Sequence, residues 1–193
     1  MQLFELGNTE LPPQMILPES LSRQSAILLT IADNGCGVCC AGMIVEAMTG
    51  RPFPPEVAGK MAKECGAREG FGTSMVIFGP VFAEKFGMRC IITEDSKEAL
   101  AFLNDKRGMV IANTKGDRED WIGVFSDARH FIVLCGAEGN EVAVWDPMYR
   151  PGRYDVPGRA GKVRMDGKTA YADFSVVEND CVTRAYYLFE KVD

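Results

Sequence analysis

The order of apolar patterns along this chain predicts an α+β fold, in which N-terminal helices are followed by a mainly antiparallel C-terminal sheet. Two observations support this prediction. Up to about residue 104, most apolar residues recur at helical spacing between glycine or proline stops. From residue 109 onward, short apolar runs of strand length are separated by turn-forming residues.

Four helices are predicted from apolar periodicity and from residues that favour helix ends. In the first, apolar side chains recur at i, i+3, i+4 and i+7 from Ala41, and Gly50 follows as a C-cap. Pro80 lies inside the third and is expected to kink or split it. The predicted helices are 37–49, the segment from Pro54 to a stop at Gly66, the segment from Thr73 or Ser74 to Phe86, and the segment from Asp95 or Ser96 to Leu103.

Five strands are predicted, and two of them form a hairpin. The pair Gly139-Asn140 lies between two apolar runs and favours a tight turn. Residues 147–160 are rich in proline, glycine and arginine and are interpreted as a solvated surface loop, or alternatively as a site for an acidic substrate segment. The predicted strands are 89–93, 109–113, 130–136, 141–146 and 182–189.

Length and composition indicate one domain, 26–193, preceded by an extended lead-in, 1–25. With 193 residues, 47% of them hydrophobic, the chain can bury a sizeable core. The net charge of −6 and the lack of a basic run argue against nucleic-acid binding, and no apolar run reaches the roughly 18 residues of a membrane span. The first residues lack secretory-signal features and the seven cysteines are scattered, so we expect free thiols and a cytoplasmic location.

Cys36 is the candidate nucleophile. It lies between Gly35 and Gly37 at the start of the first predicted helix. A cysteine at a helix N-terminus faces unpaired backbone N–H groups and the positive end of the helix dipole, and both favour the thiolate.

His130 and Asp146 are the candidate partners of Cys36. His130 is the only histidine of the sequence and opens the first hairpin strand, whereas Asp146 closes the second. At the open end of the hairpin, Asp146 can accept a hydrogen bond from one ring nitrogen of His130 while the other faces a thiol. The order Cys, His, Asp, with the cysteine on an early helix, is the papain-type arrangement of nucleophile, base and orienting carboxylate.

Several short motifs surround the three candidate residues. They are Asn34-Gly35-Cys36-Gly37, Gly72-Thr73-Ser74, Lys85-Phe86-Gly87, Met109-Val110-Ile111-Ala112, His130-Phe131-Ile132-Val133-Leu134-Cys135-Gly136 and Trp145-Asp146-Pro147. Together these motifs resemble the bacteriocin-processing (double-glycine leader) peptidase family and its stand-alone relatives, over roughly 26–150. The resemblance implies a papain-like fold, a thiol hydrolase using Cys36, His130 and Asp146, and cleavage of peptide or protein amide bonds, often after Gly-Gly. We expect no cofactor and no metal.

The sequence departs from this family in the residues expected to bind the oxyanion. Family members usually carry a glutamine donor about six residues before the nucleophile, where this chain has Thr30. Asn34 is the nearest amide side chain and Gln24 a more remote one, and the Cys36 N–H is expected to contribute regardless. The predicted oxyanion and substrate-binding set is Asn34, Thr30, Gly35 and Trp121.

Other interpretations of the same residues remain open at this point. The pair Cys36 and Cys39 has the spacing of a redox dithiol or of half a zinc site, and Cys36 could also be a buried structural thiol. The Cys-x-x-Cys-Ala helix followed by Thr49-Gly50-Arg51-Pro52 also resembles papain-fold bacterial toxins and effectors, some of which deamidate glutamine side chains. An amidase, deamidase or acyltransferase, or a catalytically silent peptide-binding domain, would keep the fold. The sequence leaves the oligomeric state open.

Overall fold

The computed structural model describes residues 35–69 and 72–192, which form five helices and nine strands. The helices are α1 (Cys36–Thr49), α2 (Pro55–Glu64), α3 (Met75–Lys85), α4 (Ser96–Asn104) and α5 (Phe174–Asp180). The strands are β1 (Arg68–Glu69), β2 (Gly72–Thr73), β3 (Met88–Thr93), β4 (Gly108–Thr114), β5 (His130–Glu138), β6 (Glu141–Trp145), β7 (Arg164–Asp166), β8 (Thr169–Asp173) and β9 (Tyr186–Lys191). The predicted α+β class is confirmed.

Within the described ranges, strands β3 to β9 form one seven-stranded sheet in the order β3-β9-β4-β5-β6-β8-β7. Every neighbouring pair is antiparallel. Strands β5 and β6 form the predicted hairpin, with Glu138 opposite Glu141 and Gly139 in the turn at φ 61°. A β-bulge between Leu134 and Gly136 shifts the pairing of β5 with β6.

The sheet is buried on both faces. On one face, α1 and α3 pack against alternate strand residues such as Ile111 and Val133, and α2 packs on α1. On the other face, α4 and α5 pack against the intervening residues, such as Val110 and Ile132. Because successive strand residues point to opposite faces, burial on both sides explains why β4 and β5 are continuous apolar runs.

The helix ends follow the local signals of the sequence. Helix α1 ends as predicted at Gly50, which adopts φ 70° and donates its N–H to the Glu46 carbonyl. The side chain of Asp95 caps α4 by accepting the N–H groups of Lys97 and Glu98. Such caps satisfy backbone groups that have no partner inside the helix. No helix in the described ranges combines the length and apolar character that crossing a membrane requires.

Of the two outcomes expected for Pro80, a kink or a split of the third helix, the split does not occur, because α3 continues through Pro80 as one helix. A proline inside a helix removes one backbone hydrogen bond, here to the carbonyl of Val76. Val76 and Pro80 are both exposed, so the missing hydrogen bond lies on the outer side of α3. The loss is therefore tolerated on the outer side of α3.

The C-terminal region differs most from the sequence prediction. The last strand begins at Tyr186 instead of residue 182, because the Arg184 N–H closes a turn onto the Cys181 carbonyl and Thr183 adopts φ 59°. Strands β7 and β8 and helix α5 were not predicted. The predicted lead-in 1–25 and the start of the 26–193 domain lie outside the described residues.

Gly42 should be essential for the packing of α1. A Cβ atom at this position would lie 2.7 Å from the backbone carbonyl oxygen of Phe53, which cannot move aside as a side chain could. We expect Gly42→Ala to lower the free energy of unfolding by about 1–3 kcal/mol, as overpacked cores do, measured by urea denaturation. The matched control is Gly59→Ala in α2, where a Cβ would meet nothing within 4 Å. This control should stabilise the protein by about 0.5–1 kcal/mol, and equal effects of the two changes would contradict the packing argument.

Candidate active site

Cys36 is the first residue of α1 and lies between two buried glycines. Gly35 occupies the N-cap and has no side chain with which to cap the first-turn N–H groups. Gly37 packs closely, since a Cβ atom there would lie 3.1 Å from Thr73 Cβ and 3.4 Å from a ring carbon of Phe131. Glycine at 37 therefore allows the helix N-terminus to approach the start of β5.

His130 is the first residue of β5 and is only 2% exposed. Its Nε2 atom lies 2.7 Å from Asp146 Oδ1. The Cys36 side chain interacts with the same ring, since each group shifts the pKa of the other, and Nδ1 is the ring nitrogen that Asp146 leaves free. The structure thus brings the three predicted catalytic side chains together.

The surroundings of Cys36 favour its thiolate. Burial alone would raise the pKa of the thiol, but the hydrogen bond and positive charge of His130 lower it, and so do backbone hydrogen bonds with Phe131 and Gly37. The net result is a pKa below the ordinary value of a cysteine. A thiolate beside a protonated imidazole is the reactive form of a nucleophilic cysteine.

His130 and Asp146 stabilise each other as an ion pair. Burial opposes the protonated imidazole, yet the hydrogen bond and charge of Asp146, together with those of Cys36, raise the pKa of His130 to about 9. Burial likewise opposes ionised Asp146, but His130, followed by Arg153 and Tyr154, lowers its pKa to about 2. At neutral pH His130 is therefore protonated and Asp146 ionised, and the imidazolium favours the thiolate of Cys36.

Four donors surround the Asp146 carboxylate. Oδ1 accepts from His130 Nε2 at 2.7 Å and from the backbone N–H of Met148 at 2.8 Å. Oδ2 accepts from Arg153 Nε at 3.0 Å and from the Tyr154 hydroxyl at 2.7 Å. Both oxygens thus have two partners, which satisfies a buried carboxylate and fixes its orientation.

Arg153 and Tyr154 correct the interpretation of residues 147–160 as a solvated loop. Their exposed fractions are 9% and 4%, and both side chains bond Asp146. Arg159 is also used internally, because its Nε donates to the Gly123 carbonyl at 2.8 Å. No periodic pattern in the sequence indicates that these residues are buried. The only sequence feature that could have linked them to the site is their position shortly after Asp146.

The neighbouring cysteines differ from Cys36. Cys39 is fully buried, and burial together with the charge of Cys36 raises its pKa to about 12. The Cys40 thiol donates to the Phe131 carbonyl at 3.3 Å and so helps to hold α1 against β5. Across 35–69 and 72–192, no three His, Cys, Asp or Glu side chains are grouped to hold a metal ion.

The remaining candidate residues are placed as follows. Gly35 lies beside Cys36 as the N-cap of α1. Trp121 lies in the loop before β5, where its indole N–H donates to Asp180 Oδ1 at 2.6 Å and Lys162 Nζ lies 4.0 Å from its ring centroid. Thr30 and Asn34 lie outside the described residues. Substrate binding by these four residues stays a prediction.

Comparison with known proteins gives matches among solved structures. No protein-family model matches the chain, and no curated protein matches it significantly. The peptidase domain of Streptococcus ComA, a bi-functional ABC transporter involved in a quorum-sensing pathway, is 13% identical with a TM-score of 0.54, over 81% of this chain and 91% of that one. A protein from Bacillus anthracis described as a C39-like peptidase is 14% identical with a TM-score of 0.51, over 83% and 91%.

A third match is a double-glycine-motif protease from an AMS/PCAT transporter, solved with its leader peptide. It is 16% identical with a TM-score of 0.47, over 81% of this chain and 84% of that one. At such identities the two higher TM-scores describe a shared fold. The predicted papain-like architecture, and its resemblance to this group of peptidases, are confirmed at the level of the fold.

Proposed function

We propose that this protein is a papain-like cysteine peptidase that uses Cys36, His130 and Asp146. The observation that carries the proposal is the buried hydrogen bond between His130 Nε2 and Asp146 Oδ1, with the Cys36 thiol close enough to the same ring to shift its pKa. A nucleophile, a base and a group that orients the base are the requirements for covalent acyl transfer.

In the proposed reaction, the Cys36 thiolate attacks the carbonyl carbon of the scissile amide and forms a tetrahedral oxyanion. The Cys36 N–H at the start of α1 donates to this oxyanion, and Asn34 is the predicted second donor. His130 gives its proton to the leaving amine as the C–N bond breaks, which leaves a thioester. His130 then removes a proton from water, the resulting hydroxide attacks the thioester, and Cys36 is released as the thiolate.

The proposed substrate is a peptide or protein, and a Gly-Gly segment is the first sequence to test. This choice rests on the resemblance of the motifs to double-glycine leader peptidases. The same three side chains would also hydrolyse a glutamine side chain, so the product identifies the reaction. Mass spectrometry would detect chain cleavage for a peptidase and a Gln-to-Glu mass shift for a deamidase.

The pH dependence of Cys36 alkylation tests the nucleophile without a substrate. We expect rapid reaction with iodoacetamide at pH 6, where a free thiol of pKa about 8.5 would be only about 0.3% ionised. Above pH 6 the alkylation rate should stay constant and then increase near pH 9. The increase is expected because His130, whose pKa is about 9, loses its proton there, and a thiolate without a paired cation is the stronger nucleophile. Mass spectrometry of the Cys36 peptide measures the rate.

His130→Gln is the matched control, since it retains a polar side chain but cannot carry a proton. The plateau at pH 6 should disappear in this variant. If Cys36 of the unmodified protein is alkylated no faster than an ordinary free thiol, the thiolate–imidazolium pair is refuted. If Cys36 shows the expected high alkylation rate at pH 6 but no tested peptide is cleaved or deamidated, a catalytically silent binding domain is favoured instead.

A further inference from the structure

Two loops meet beside Asp146, the loop 115–129 before β5 and the loop 147–163 after β6. Asp180, at the end of α5, organises the first of them. Its fully buried carboxylate accepts the backbone N–H groups of Val124 at 3.0 Å and Phe125 at 2.8 Å, as well as the indole N–H of Trp121. The carbonyl of Phe125 is thereby held in a fixed position close to the second loop.

Arg153 crosses from the second loop to the first. Its Nε donates to Asp146 Oδ2 at 3.0 Å, and its Nη2 donates to the Phe125 carbonyl at 2.5 Å. The side chain is 7% exposed, so both bonds form away from bulk water. A guanidinium group is planar and presents its donors in a rigid fork, which sets the angle between its two acceptors.

We propose that Arg153 is a positioning residue, which holds Asp146 in the orientation that His130 requires and ties that orientation to the 115–129 loop. This inference rests on the proposed function for its kinetic consequence. Together with the Tyr154 hydroxyl, Arg153 occupies Oδ2, so the carboxylate cannot rotate away and leaves Oδ1 directed at His130 Nε2. Arg153 thus acts through Asp146, because its hydrogen bonds go to that carboxylate and to the Phe125 carbonyl.

The charges around Asp146 determine the sign of the expected effect. His130 approaches it from β5, Cys40 from α1, and Arg153 and Tyr154 from the following loop. Loss of Arg153 leaves the carboxylate free to turn, which weakens its hydrogen bond to protonated His130 and so weakens the imidazolium that favours ionised Cys36. Removal of a cation also disfavours the Cys36 thiolate directly. The pKa of Cys36 should therefore rise toward that of an ordinary thiol.

The test compares Arg153→Met, Arg153→Lys and Arg159→Met. Arg159 is a matched control because it also joins the two loops through a bond to a backbone carbonyl, that of Gly123, but makes no bond to Asp146. We expect Arg153→Met to slow Cys36 alkylation at pH 6 about 10- to 100-fold and to lower kcat similarly, with KM nearly unchanged. Arg153→Lys should recover part of this loss, and Arg159→Met should stay within about twofold of the unmodified protein.

A second readout is the ring signal of His130 in NMR, which needs no assignment because the sequence contains one histidine. A changed titration of this signal in Arg153→Met, but not in Arg159→Met, would support positioning. Equal losses in both variants would reduce the role of Arg153 to loop tethering, and full recovery by lysine would show that charge alone matters. Either result overturns the proposal, as does an unchanged Arg153→Met.

Alkylation and NMR separate this inference from the proposed function. If the unmodified protein cleaves no peptide, yet Arg153→Met slows alkylation and shifts the His130 signal, the peptidase proposal fails and the positioning role stands. If peptides are cleaved and Arg153→Met matches the unmodified protein, the positioning role fails alone. Should Arg153→Met not fold, as judged by thermal denaturation, Arg153→Lys decides the outcome.

Discussion

His130→Gln is expected to abolish peptide hydrolysis, lowering kcat by about 10⁵- to 10⁶-fold, the scale of losing the base of a serine-protease triad. Two effects combine. The leaving amine loses its proton donor, and the Cys36 thiolate loses the hydrogen bond and cation that offset its burial. With burial then unopposed by His130, the pKa of Cys36 should rise and little thiolate should remain at neutral pH.

Steady-state hydrolysis of a fluorogenic peptide, compared with Cys36→Ala, would measure this loss. Both variants should fall to the same residual rate, because the nucleophile and its base act as a unit. Circular dichroism would show whether each variant keeps its fold, which the similar size of glutamine favours. Retention of more than about 1% of kcat in a folded His130→Gln would exclude His130 as the base.

Asp146→Asn is the second large effect, with an expected loss of about 10⁴-fold in kcat, as for the equivalent change in a Ser-His-Asp triad. An amide has one acceptor oxygen, whereas donors surround both oxygens of Asp146. The new NH₂ group must therefore face either the His130 side or the Arg153 side, where it meets another donor. His130 would also lose the charge that raises its pKa.

Stability at low pH gives an independent measure of the same change. The folded-state pKa of Asp146 is about 2, below its unfolded value of about 3.8, so its contribution to stability is present above pH 3.8. This contribution is lost as the pH falls toward 2. Urea denaturation between pH 2 and 5 should show a weaker pH dependence in Asp146→Asn, and an unchanged dependence would contradict the ionised carboxylate.

Local signals in the sequence were sufficient for the elements that hold the predicted triad. Helix α1 was predictable because helical spacing, Cys36 and Gly50 all agree on its limits. The β5–β6 hairpin was predictable because a Gly-Asn turn joins two apolar runs, and this placed His130 beside Asp146. Such elements can be predicted from sequence because the local residue preferences and the tertiary packing favour the same secondary structure.

The polar surroundings of the site were not predictable in the same way. Arg153 and Tyr154 lie in a segment whose composition is typical of a solvated loop. Their side chains are buried because both bond the Asp146 carboxylate and because Arg153 also bonds the backbone carbonyl of Phe125. Strands β7 and β8 are short, and their pairing with β6 is a tertiary property. Composition alone carries no information on such contacts.

Strand β9 gives this fold an order of assembly. It comes last among the described strands, yet it lies inside the sheet, paired with β3 on one side and β4 on the other. Arg89 and Glu190, which form an ion pair across β3 and β9, are 101 residues apart in the chain. During synthesis Asp146 therefore emerges from the ribosome before β9 does. Until residues 186–191 emerge, the edges of β3 and β4 that β9 covers have unpaired backbone groups. The sheet is thus completed only after residues 186–191 have been synthesised, and until then the nascent chain exposes unpaired strand edges that favour misassociation.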